Sequence, residues 1–424
     1  MNSDASEQTL NDDQLNRQLN DLAERYVRLS LRVGQHSEYF VDAYYGPDSW
    51  RPQGASDPLS SIEEQCCALI SSLETLPVYT SSSVYQRQQF LTIQSKALLF
   101  YIEQLQGKTS SYKEECQRLY DASVPSYGTA YFDTILQELE QLVPGEGELN
   151  QRIAEYRQQF VVPPEKLSQI FNVAISEARK RTLKHVELPD CESFDVQLTN
   201  NQVWSAYNWY KGNSYSLIEL NTDHPIFIER VIDLAAHEGY PGHHVFNALI
   251  EKHLVNERGW LEYSIYNLYS PVSLLAEGSA NYGIEVAFPW NERLTFEQEV
   301  LFPLAGLEPA SAEQYYEIQR ILHQLSYADN LIAQQWIDDE IDDEQAIKLL
   351  MKYALNSEER AGQRLSFIKH NRAYVMTYNY GQDLVKAYLK EQVKDDSNDA
   401  LWRAFTALLA TPKTASMMTS VSSS

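Results

Sequence analysis

Apolar residues recur at helical spacing over most of the chain. This pattern predicts helices over residues 13–33, 62–76, 85–105, 164–184, 271–288, 312–325, 343–355, 358–368 and 382–389. Pro163 precedes the predicted helix at residues 164–184 and Pro164 begins it, and proline is tolerated in the first turn of a helix. The periodicity therefore favours a mainly α fold.

A shorter region departs from this helical pattern. Residues 193–198 and 214–220 alternate apolar with polar side chains, which is typical of strands. Helical spacing returns after Pro225 and continues to His237 and Glu238. The expected architecture is a large helical protein with a small β-sheet beside the helix that carries these two residues.

Glycine, proline and serine mark the predicted limits of the regions. The Pro-Gly-Glu-Gly segment near residue 145 divides an N-terminal helical region, residues 1–145, from a second region, residues 148–410. Residues 411–424 are rich in serine and threonine and are predicted to form a disordered tail. We expect the two helical regions to form one integrated structural unit.

Charge and composition narrow the partners and the compartment. The 59 acidic and 34 basic residues give a net charge of -25, which repels nucleic acid and anionic membranes. The polar start of the chain indicates no secretory signal, and no later stretch is apolar enough to span a bilayer. Four cysteines do not form a recognisable disulfide framework. These features favour the cytoplasm and leave the oligomeric state undetermined.

Three of the nine histidines lie within eight residues, in the segment His-Glu-Gly-Tyr-Pro-Gly-His-His at residues 237–244. Zinc peptidases carry His-Glu-x-x-His on a helix, where two histidines four residues apart bind the ion and the glutamate takes a proton from water. Here His243 and His244 follow His237 by six and seven residues. Seven residues of regular helix rise roughly 10 Å, which is too far for one ion.

The helix must therefore be bulged or looped at residues 239–242. Pro241 and Gly242 suit such a break, because proline removes a helical donor and glycine accepts unusual backbone angles. Helical phase favours His244 as the second ligand, whereas the shorter rise favours His243. Both remain candidates, and we expect the other histidine to contact substrate or a ligand.

A third ligand leaves the fourth position of a tetrahedral zinc ion open to water. Glu277 is the best candidate, because its small neighbours Ala276, Gly278 and Ala280 allow close packing against the first helix. Glu285 lies roughly two turns further along and is a weaker choice. The sequence therefore predicts a site for one Zn²⁺ ion.

These segments resemble a known bacterial family. Residues 237–244 resemble the His-Glu-x-x-Pro-Gly-His-His signature of the family called domain of unknown function 885. Residues 277–282 are similar to its Glu-Gly-Trp-Ala-x-Tyr element, with Ser279 in place of the tryptophan. Residues 378–382 are similar to its Tyr-x-x-Gly-Gln segment, although the proline usual before it is absent. The resemblance covers about residues 201–389 and implies a gluzincin-like metallopeptidase architecture, in which a glutamate is the third metal ligand.

The resemblance also implies roles for single residues. Glu238 would be the general base, and Tyr378 a donor to the oxyanion, with Tyr374 and Tyr380 as competing, substrate-binding candidates. The strand at residues 214–220 resembles the edge strand along which gluzincins pair an extended peptide. Many members of the family carry lipoprotein signals, which this chain lacks, so their location is not transferred to it.

The sequence thus predicts a zinc-dependent hydrolase that cleaves peptide bonds, as a carboxypeptidase, dipeptidase or oligopeptidase. One alternative is a non-catalytic, metal-stabilised protein that holds a peptide or a partner. Another is a zinc hydrolase that acts on a non-peptide amide or ester. The identity of the substrate, and whether cleavage is internal or terminal, are not encoded in any recognisable motif.

Overall fold

The structure, a computed structural model, describes residues 2–77, 83–202, 204–395 and 397–419, with side chains from residue 13 onward. Over these residues it contains the helices α1 (Asn2–Gly34), α2 (Leu59–Glu74), α3 (Ser83–Leu105), α4 (Tyr112–Tyr120), α5 (Thr129–Leu142), α6 (Leu149–Gln158), α7 (Pro164–Thr182), α8 (Ile228–Leu234), α9 (His243–Ile250), α10 (Pro271–Ala287), α11 (Trp290–Phe296), α12 (Phe302–Ala305), α13 (Ala312–Gln324), α14 (Ala328–Ile337), α15 (Asp343–Tyr353), α16 (Glu358–Asn371), α17 (Met376–Gln392), α18 (Asn398–Ala410) and α19 (Ala415–Thr419). The strands are β1 (Val41–Tyr44), β2 (Ser193–Thr199), β3 (Ala206–Tyr210), β4 (Tyr215–Asn221) and β5 (Ile265–Asn267).

Helices account for 68% of the chain and strands for 7%, which confirms the mainly α fold with a small sheet. Each helix predicted from periodicity is present, and most ends differ by a few residues, but α1 begins at Asn2 and α17 at Met376, eleven and six residues before the predicted starts. The sequence pattern missed several short helices, among them α4, α11 and α14. Short helices are marginal in isolation and form through tertiary packing, so their local signal is weak.

The three-stranded sheet has the order β2-β4-β3. Strand β4 pairs with β2 in parallel and with β3 in antiparallel orientation. The prediction that residues 214–220 form the edge strand is therefore wrong, because both sides of β4 are occupied. Local patterning gave no signal for β3, the aromatic strand beside β4 that forms one edge of the sheet.

A separate two-stranded pairing joins distant parts of the chain. Strand β1 pairs antiparallel with β5, which directly precedes the start of α10. The N-terminal region is thereby attached to the helix that carries Glu277. A strand that lies early in the chain is thus part of the surroundings of the predicted metal site.

Two apolar clusters form the interior. The larger one extends from Leu15 in α1 to Met418 in α19, and the smaller one joins α5 and α6 to α13. Both clusters draw on residues from each side of the boundary predicted near residue 145. None of the described helices combines the length and the apolar character that crossing a bilayer requires.

The prediction of a disordered tail is wrong for residues 411–419. The last five of these residues form α19, in which Ala415 and Met418 are buried, and Ser416 hydrogen bonds to Asp121. The apolar face of α19 packs on α17 and α10, an effect that a composition rich in serine and threonine does not indicate. Residues 420–424 lie outside the described residues.

Helices α10 and α17 cross with their backbones in contact. A Cβ atom placed on Gly278 would lie 2.3 Å from the carbonyl carbon and oxygen of Gly381, and one on Gly381 would lie 2.6 Å from the carbonyl oxygen of Leu274. Side-chain atoms do not approach backbone this closely, so both positions require glycine. The crossing fixes Glu277, which adjoins Gly278, relative to the tyrosines of α17.

Replacing Gly278 by alanine tests this crossing. We expect Gly278→Ala to lower the free energy of unfolding by about 1–3 kcal/mol or more, because the methyl group separates two packed helices. Gly362→Ala is the matched control, since its Cβ would meet nothing within 4 Å and alanine favours a helix. Chemical denaturation measures both variants. Equal stability of the two variants would contradict the close crossing.

Candidate metal centre

The helix that carries His237 is interrupted before the second pair of histidines. After α8 the chain forms one π-helical turn, Ala235–Gly239, then leaves the helix and starts α9 at His243. A Cβ atom on Gly242 would lie 1.9 Å from the carbonyl oxygen of His237, so only glycine fits at this break. The peptide bond between Tyr240 and Pro241 is cis. The predicted break at residues 239–242 is confirmed.

The break brings two imidazoles and a carboxylate together. The Nε2 atoms of His237 and His243 are 3.1 Å apart, and Oε2 of Glu277 lies 3.2 Å from the first and 3.7 Å from the second. Two ligand atoms on one tetrahedral zinc ion, each about 2.0–2.1 Å from it, lie about 3.3 Å apart. The three atoms therefore have the spacing that a single ion requires.

The buried Oε2 atom of Glu277 strengthens this fit. Apart from its approach to the two imidazoles, this atom has no hydrogen-bond partner among the described residues. A buried carboxylate oxygen without a partner is costly, and a cation compensates for it. Over the described chain, His237, His243 and Glu277 form the group of side chains with metal-ligand spacing.

A second layer of contacts orients His237. Its Nδ1 lies 2.9 Å from Oδ1 of Asn281, whose Nδ2 donates to the carbonyl oxygen of Tyr378 at 2.8 Å. Because the amide nitrogen of Asn281 is already donating, its oxygen accepts the Nδ1 proton, and Nε2 keeps a free lone pair. Metal-binding histidines are held by the same kind of contact. The sequence analysis assigned no role to Asn281, although it lies one helical turn after Glu277.

Tyr374 orients the other half of Glu277. Its buried hydroxyl donates to Oε1 of Glu277 at 2.7 Å, which leaves Oε2 to face the histidines. The structure thus places Tyr374 against the candidate ligand, and its substrate-binding role stays a prediction. The carboxylate is thus fixed by one hydrogen bond on the side away from the histidines.

His244 lies outside the cluster. Its Nδ1 lies 2.7 Å from Oγ of Ser216 and its Nε2 lies 3.0 Å from Glu192, which also bonds Tyr240 and Arg179. The helical-phase argument that favoured His244 fails because the break restarts the helix at His243. Consecutive helical residues point about 100° apart, so only one of the two histidines faces His237.

Two other candidates are also placed away from the cluster. Glu285 bonds Gln382 at 2.8 Å and Lys386 at 2.7 Å, so it is not the third ligand. Tyr380 lies two residues from Tyr378 on α17, and packs toward the apolar cores rather than the histidines. Residues two apart on a helix point roughly 200° apart, so Tyr380 lies on a different side of α17 from Tyr378, and its substrate-binding role stays a prediction.

Tyr378 remains beside the site. The residue is partly exposed, and its ring packs edge-on against that of Tyr374 with centroids 5.7 Å apart. Burial first, and then the charge of Glu277, raise the pKa of the Tyr378 hydroxyl well above its usual value. A neutral phenol with such a pKa is a hydrogen-bond donor at physiological pH. Its position four residues after Tyr374 puts both tyrosines on one face of the chain.

The negative charge at this site exceeds the positive charge. Burial lowers the pKa of His243, but the neighbouring carboxylates, Glu277 first, raise it to about 9. Burial raises the pKa of Glu277, yet the charges of His243 and His237 hold it well below its usual range. These shifts show that the carboxylates stabilise positive charge between them, which a metal ion would supply.

Glu238 adjoins this cluster as a second buried carboxylate. Burial raises its pKa, and the charge of Glu277 raises it further against the opposing effect of the two histidines. Its carbonyl oxygen accepts from Nδ2 of Asn208 at 2.6 Å, which ties the π-helical turn to the edge strand β3. Over the described chain, its carboxylate accepts no hydrogen bond from a side chain, so it is available to a water molecule.

The structure adds one acidic residue that no local motif indicated. Asp42, on β1, accepts a hydrogen bond from Tyr207 on β3. Its pKa is raised to about 7 by burial first, and then by the charges of Glu277 and Glu238, against the effect of His243. The long separation between β1 and the histidines explains why sequence spacing gave no signal for it.

Comparisons with known proteins define the fold without assigning a chemistry. No protein-family model and no curated protein matches the chain. It is similar to the crystal structure of a "putative lipoprotein" from Colwellia psychrerythraea, with a TM-score of 0.53 and 16% identity over 88% of this chain and 70% of that chain. It also matches a "putative lipoprotein of unknown function" from Shewanella oneidensis, with a TM-score of 0.42 and 14% identity over 83% and 72% of the two chains. The first likeness shows a shared fold, and the second is too distant to support an argument.

Substitution of the two adjacent histidines tests the assignment of the cluster. We expect the wild-type chain to bind about one zinc ion, and His243→Gln to bind less than about a tenth of this, because three ligands hold the ion. His244→Gln should keep the zinc but lose stability by about 1–3 kcal/mol, since it leaves buried polar groups unpaired. Elemental analysis of dialysed protein gives the stoichiometry. If His244→Gln lost the zinc and His243→Gln kept it, His244 would be the second ligand instead of His243.

Proposed function

We propose that the protein is a zinc-dependent peptidase with His237, His243 and Glu277 as ligands. The observation that carries the proposal is the buried, unpartnered Oε2 atom of Glu277 at ligand spacing from two oriented imidazoles. Glu238 supports a catalytic role, because a structural zinc ion needs no extra carboxylate beside it. The site has three protein ligands, which is the number typical of catalytic zinc.

A zinc ion at this site would supply a Lewis acid that polarises a carbonyl group and lowers the pKa of water. Glu238 would take a proton from the attacking water and pass it to the leaving amine. Its carboxylate is free of side-chain hydrogen bonds over the described chain and adjoins His237 in sequence. Tyr378 would donate its hydroxyl proton in a hydrogen bond to the oxyanion.

The edge strand β3 is the proposed place for an extended substrate. Strand β3 lies at the edge of the sheet and contacts the π-helical turn through Asn208. A peptide that adds to a sheet edge satisfies backbone groups on both sides. Strand β3 takes over the role expected of residues 214–220, because β4 has no free side.

We propose that the chain belongs to the family of domain of unknown function 885, because the three segments that resemble its motifs lie around the candidate metal centre. The histidine segment at residues 237–244 and the element at residues 277–282 supply the ligands. The element at residues 378–382 crosses α10 through Gly381 and begins with Tyr378. We also propose a cytoplasmic location, which the free cysteines Cys66, Cys67, Cys116 and Cys191 support.

The role of Glu238 is tested by its amide. We expect Glu238→Gln to keep about one zinc ion per chain and to lower kcat for peptide hydrolysis by at least about 100-fold, because an amide does not accept the proton. Glu285→Gln is the matched control, since Glu285 lies on the surface of α10 away from the histidines. A digest of a peptide library identifies the substrates, and elemental analysis gives the zinc content. Full activity in the zinc-loaded Glu238→Gln variant would remove this residue from the mechanism.

Zinc binding by the wild-type chain without cleavage of any library peptide would count against a peptidase. If a chelator then lowered the thermal stability, the result would favour the metal-stabilised binding protein. Hydrolysis of simple esters or amides by the same preparation would instead favour the non-peptide hydrolase.

The role of Tyr378 is tested separately. We expect Tyr378→Phe to lower kcat by about 100-fold with little change in KM or zinc content, because the hydroxyl acts on charge that develops during the reaction. Tyr380→Phe, on the opposite side of α17, should retain wild-type kinetics. Steady-state kinetics on the best library peptide measures both variants. An unchanged kcat in Tyr378→Phe would assign the oxyanion contact to another donor.

A further inference from the structure

Asp42 occupies an irregular position in its strand. Val41 pairs with Asn267 and Ala43 pairs with Tyr266, so Asp42 is an extra residue on β1 opposite consecutive residues of β5. Such a bulge redirects a side chain, and bulges are frequent beside functional sites. The Asp42 side chain leaves the regular alternation of β1 at the point where this strand approaches the metal centre.

One hydrogen bond and the charges around it place the carboxylate of Asp42 near this centre. Tyr207 on the edge strand β3 donates its hydroxyl to Asp42, and the next residue, Asn208, bonds the carbonyl oxygen of Glu238. The charge of Asp42 also acts on His243, as expected of a neighbouring group. Successive side chains of a strand point to opposite faces, so β3 bonds Asp42 through Tyr207 on one face and the backbone of Glu238 through Asn208 on the other.

This region is open to a ligand. The side chains of His237 and His243 are 14% and 16% exposed, and Asp42, Tyr207 and Tyr266 are also partly exposed. Tyr207 belongs to the edge strand along which we place the substrate.

Asp42 has no lysine or arginine partner. Over the described chain it forms no ion pair, and the positive charge that acts on it most is that of His243, a candidate metal ligand. A divalent ion at the histidines would be offset by the charges of Glu277 and Glu238, which leaves the charge of Asp42 in excess. Buried carboxylates are stable when paired with a cation.

We propose that Asp42 binds the free α-ammonium group of a peptide substrate and makes the proposed peptidase an aminopeptidase. This inference rests on the proposed function, because it names the substrate class of the same site. An α-ammonium group adjoins the first carbonyl group of its peptide, whereas a lysine ammonium group lies at the end of a long flexible chain. A carboxylate that shares the charged surroundings of the general base therefore suits the amino terminus best. Tyr207 positions Asp42 through its hydrogen bond.

The test compares Asp42→Asn with Asp195→Asn. Asp195 on β2 accepts a hydrogen bond from Tyr215 at 2.9 Å on an exposed face of the same sheet, so it is a matched tyrosine-aspartate pair outside the site. Three peptides distinguish the sources of the cation: a lysine-free peptide with a free amino terminus, its N-acetylated form, and an N-acetylated peptide that contains lysine.

We expect the wild type to prefer the free amino terminus, and Asp42→Asn to lose about 10- to 100-fold of kcat/KM on this peptide, as for loss of one charged hydrogen bond. The ratio between the free and the acetylated peptide should fall toward one in Asp42→Asn and stay at the wild-type value in Asp195→Asn. Tyr207→Phe should lower the same ratio by a smaller factor. Thermal denaturation checks that all variants are folded.

Three results would overturn the proposal. One is an unchanged ratio in a folded Asp42→Asn variant. Another is a wild-type preference for the N-acetylated, lysine-containing peptide, which would assign Asp42 to a side-chain cation. The third is loss of zinc from Asp42→Asn, which would make Asp42 a metal ligand.

Binding to the zinc-loaded Glu238→Gln variant separates this proposal from the proposed function. Calorimetric titration with the free and acetylated peptides needs no cleavage. Tighter binding of the free peptide, lost when Asp42→Asn is added, would support ammonium recognition even if the wild type cleaved neither peptide. Equal binding of the two peptides would contradict ammonium recognition even if cleavage were observed.

Discussion

The interruption of the helix between His237 and His243 is the constraint on which the site depends. Residues six apart on a regular helix lie roughly 9 Å apart along its axis and on different faces. The structure instead brings their Nε2 atoms to 3.1 Å. A π-helical turn and a short loop make this approach, and Gly242 is the residue that permits it, because a side chain there would overlap the carbonyl oxygen of His237. The glutamate between the histidines stays on the same turn and so remains beside the cluster.

The third ligand depends on a different kind of close contact. Glu277 adjoins Gly278, where α10 touches the backbone of α17 at Gly381. This crossing also brings Tyr374 to the outer oxygen of Glu277, so the ligand and its supporting hydrogen bond share one packing contact. The small residues around Glu277 thus serve the metal site indirectly, through the distance between two helices.

Sequence reasoning predicted the parts of the site that local spacing encodes. The histidine segment contradicted a regular helix and contained proline and glycine, so the break could be predicted. The choice between His243 and His244 could not, because it depends on where α9 starts after the break. Tyr374 and Tyr378 lie four residues apart on one face, but the pattern had predicted the start of α17 only at residue 382. The sequence therefore did not predict that these two tyrosines share a face.

The larger omissions have a common physical cause. Asp42, Tyr207 and Asn208 reach the site through strand pairings that join distant parts of the chain, and such pairings have no local periodicity. The same holds for the sheet order, because the short strand β3 displaces β4 from the edge. Helices were predicted well since their spacing is local. The surface on which the substrate would lie is built mostly from the non-local contacts.

Protein groups other than the candidate ligands support the helix break. Burial raises the pKa of Glu192, but hydrogen bonds from His244, Arg179 and Tyr240 lower it to about 2. These bonds hold both ends of the loop on the side opposite the cluster, and they use none of the candidate ligands. The His237 side is held by Asn281. Because both sides are fixed by protein groups alone, the imidazoles keep their spacing without help from the ion. Such preorganisation is what catalytic and binding sites require, whereas a structural zinc site obtains its geometry from the metal.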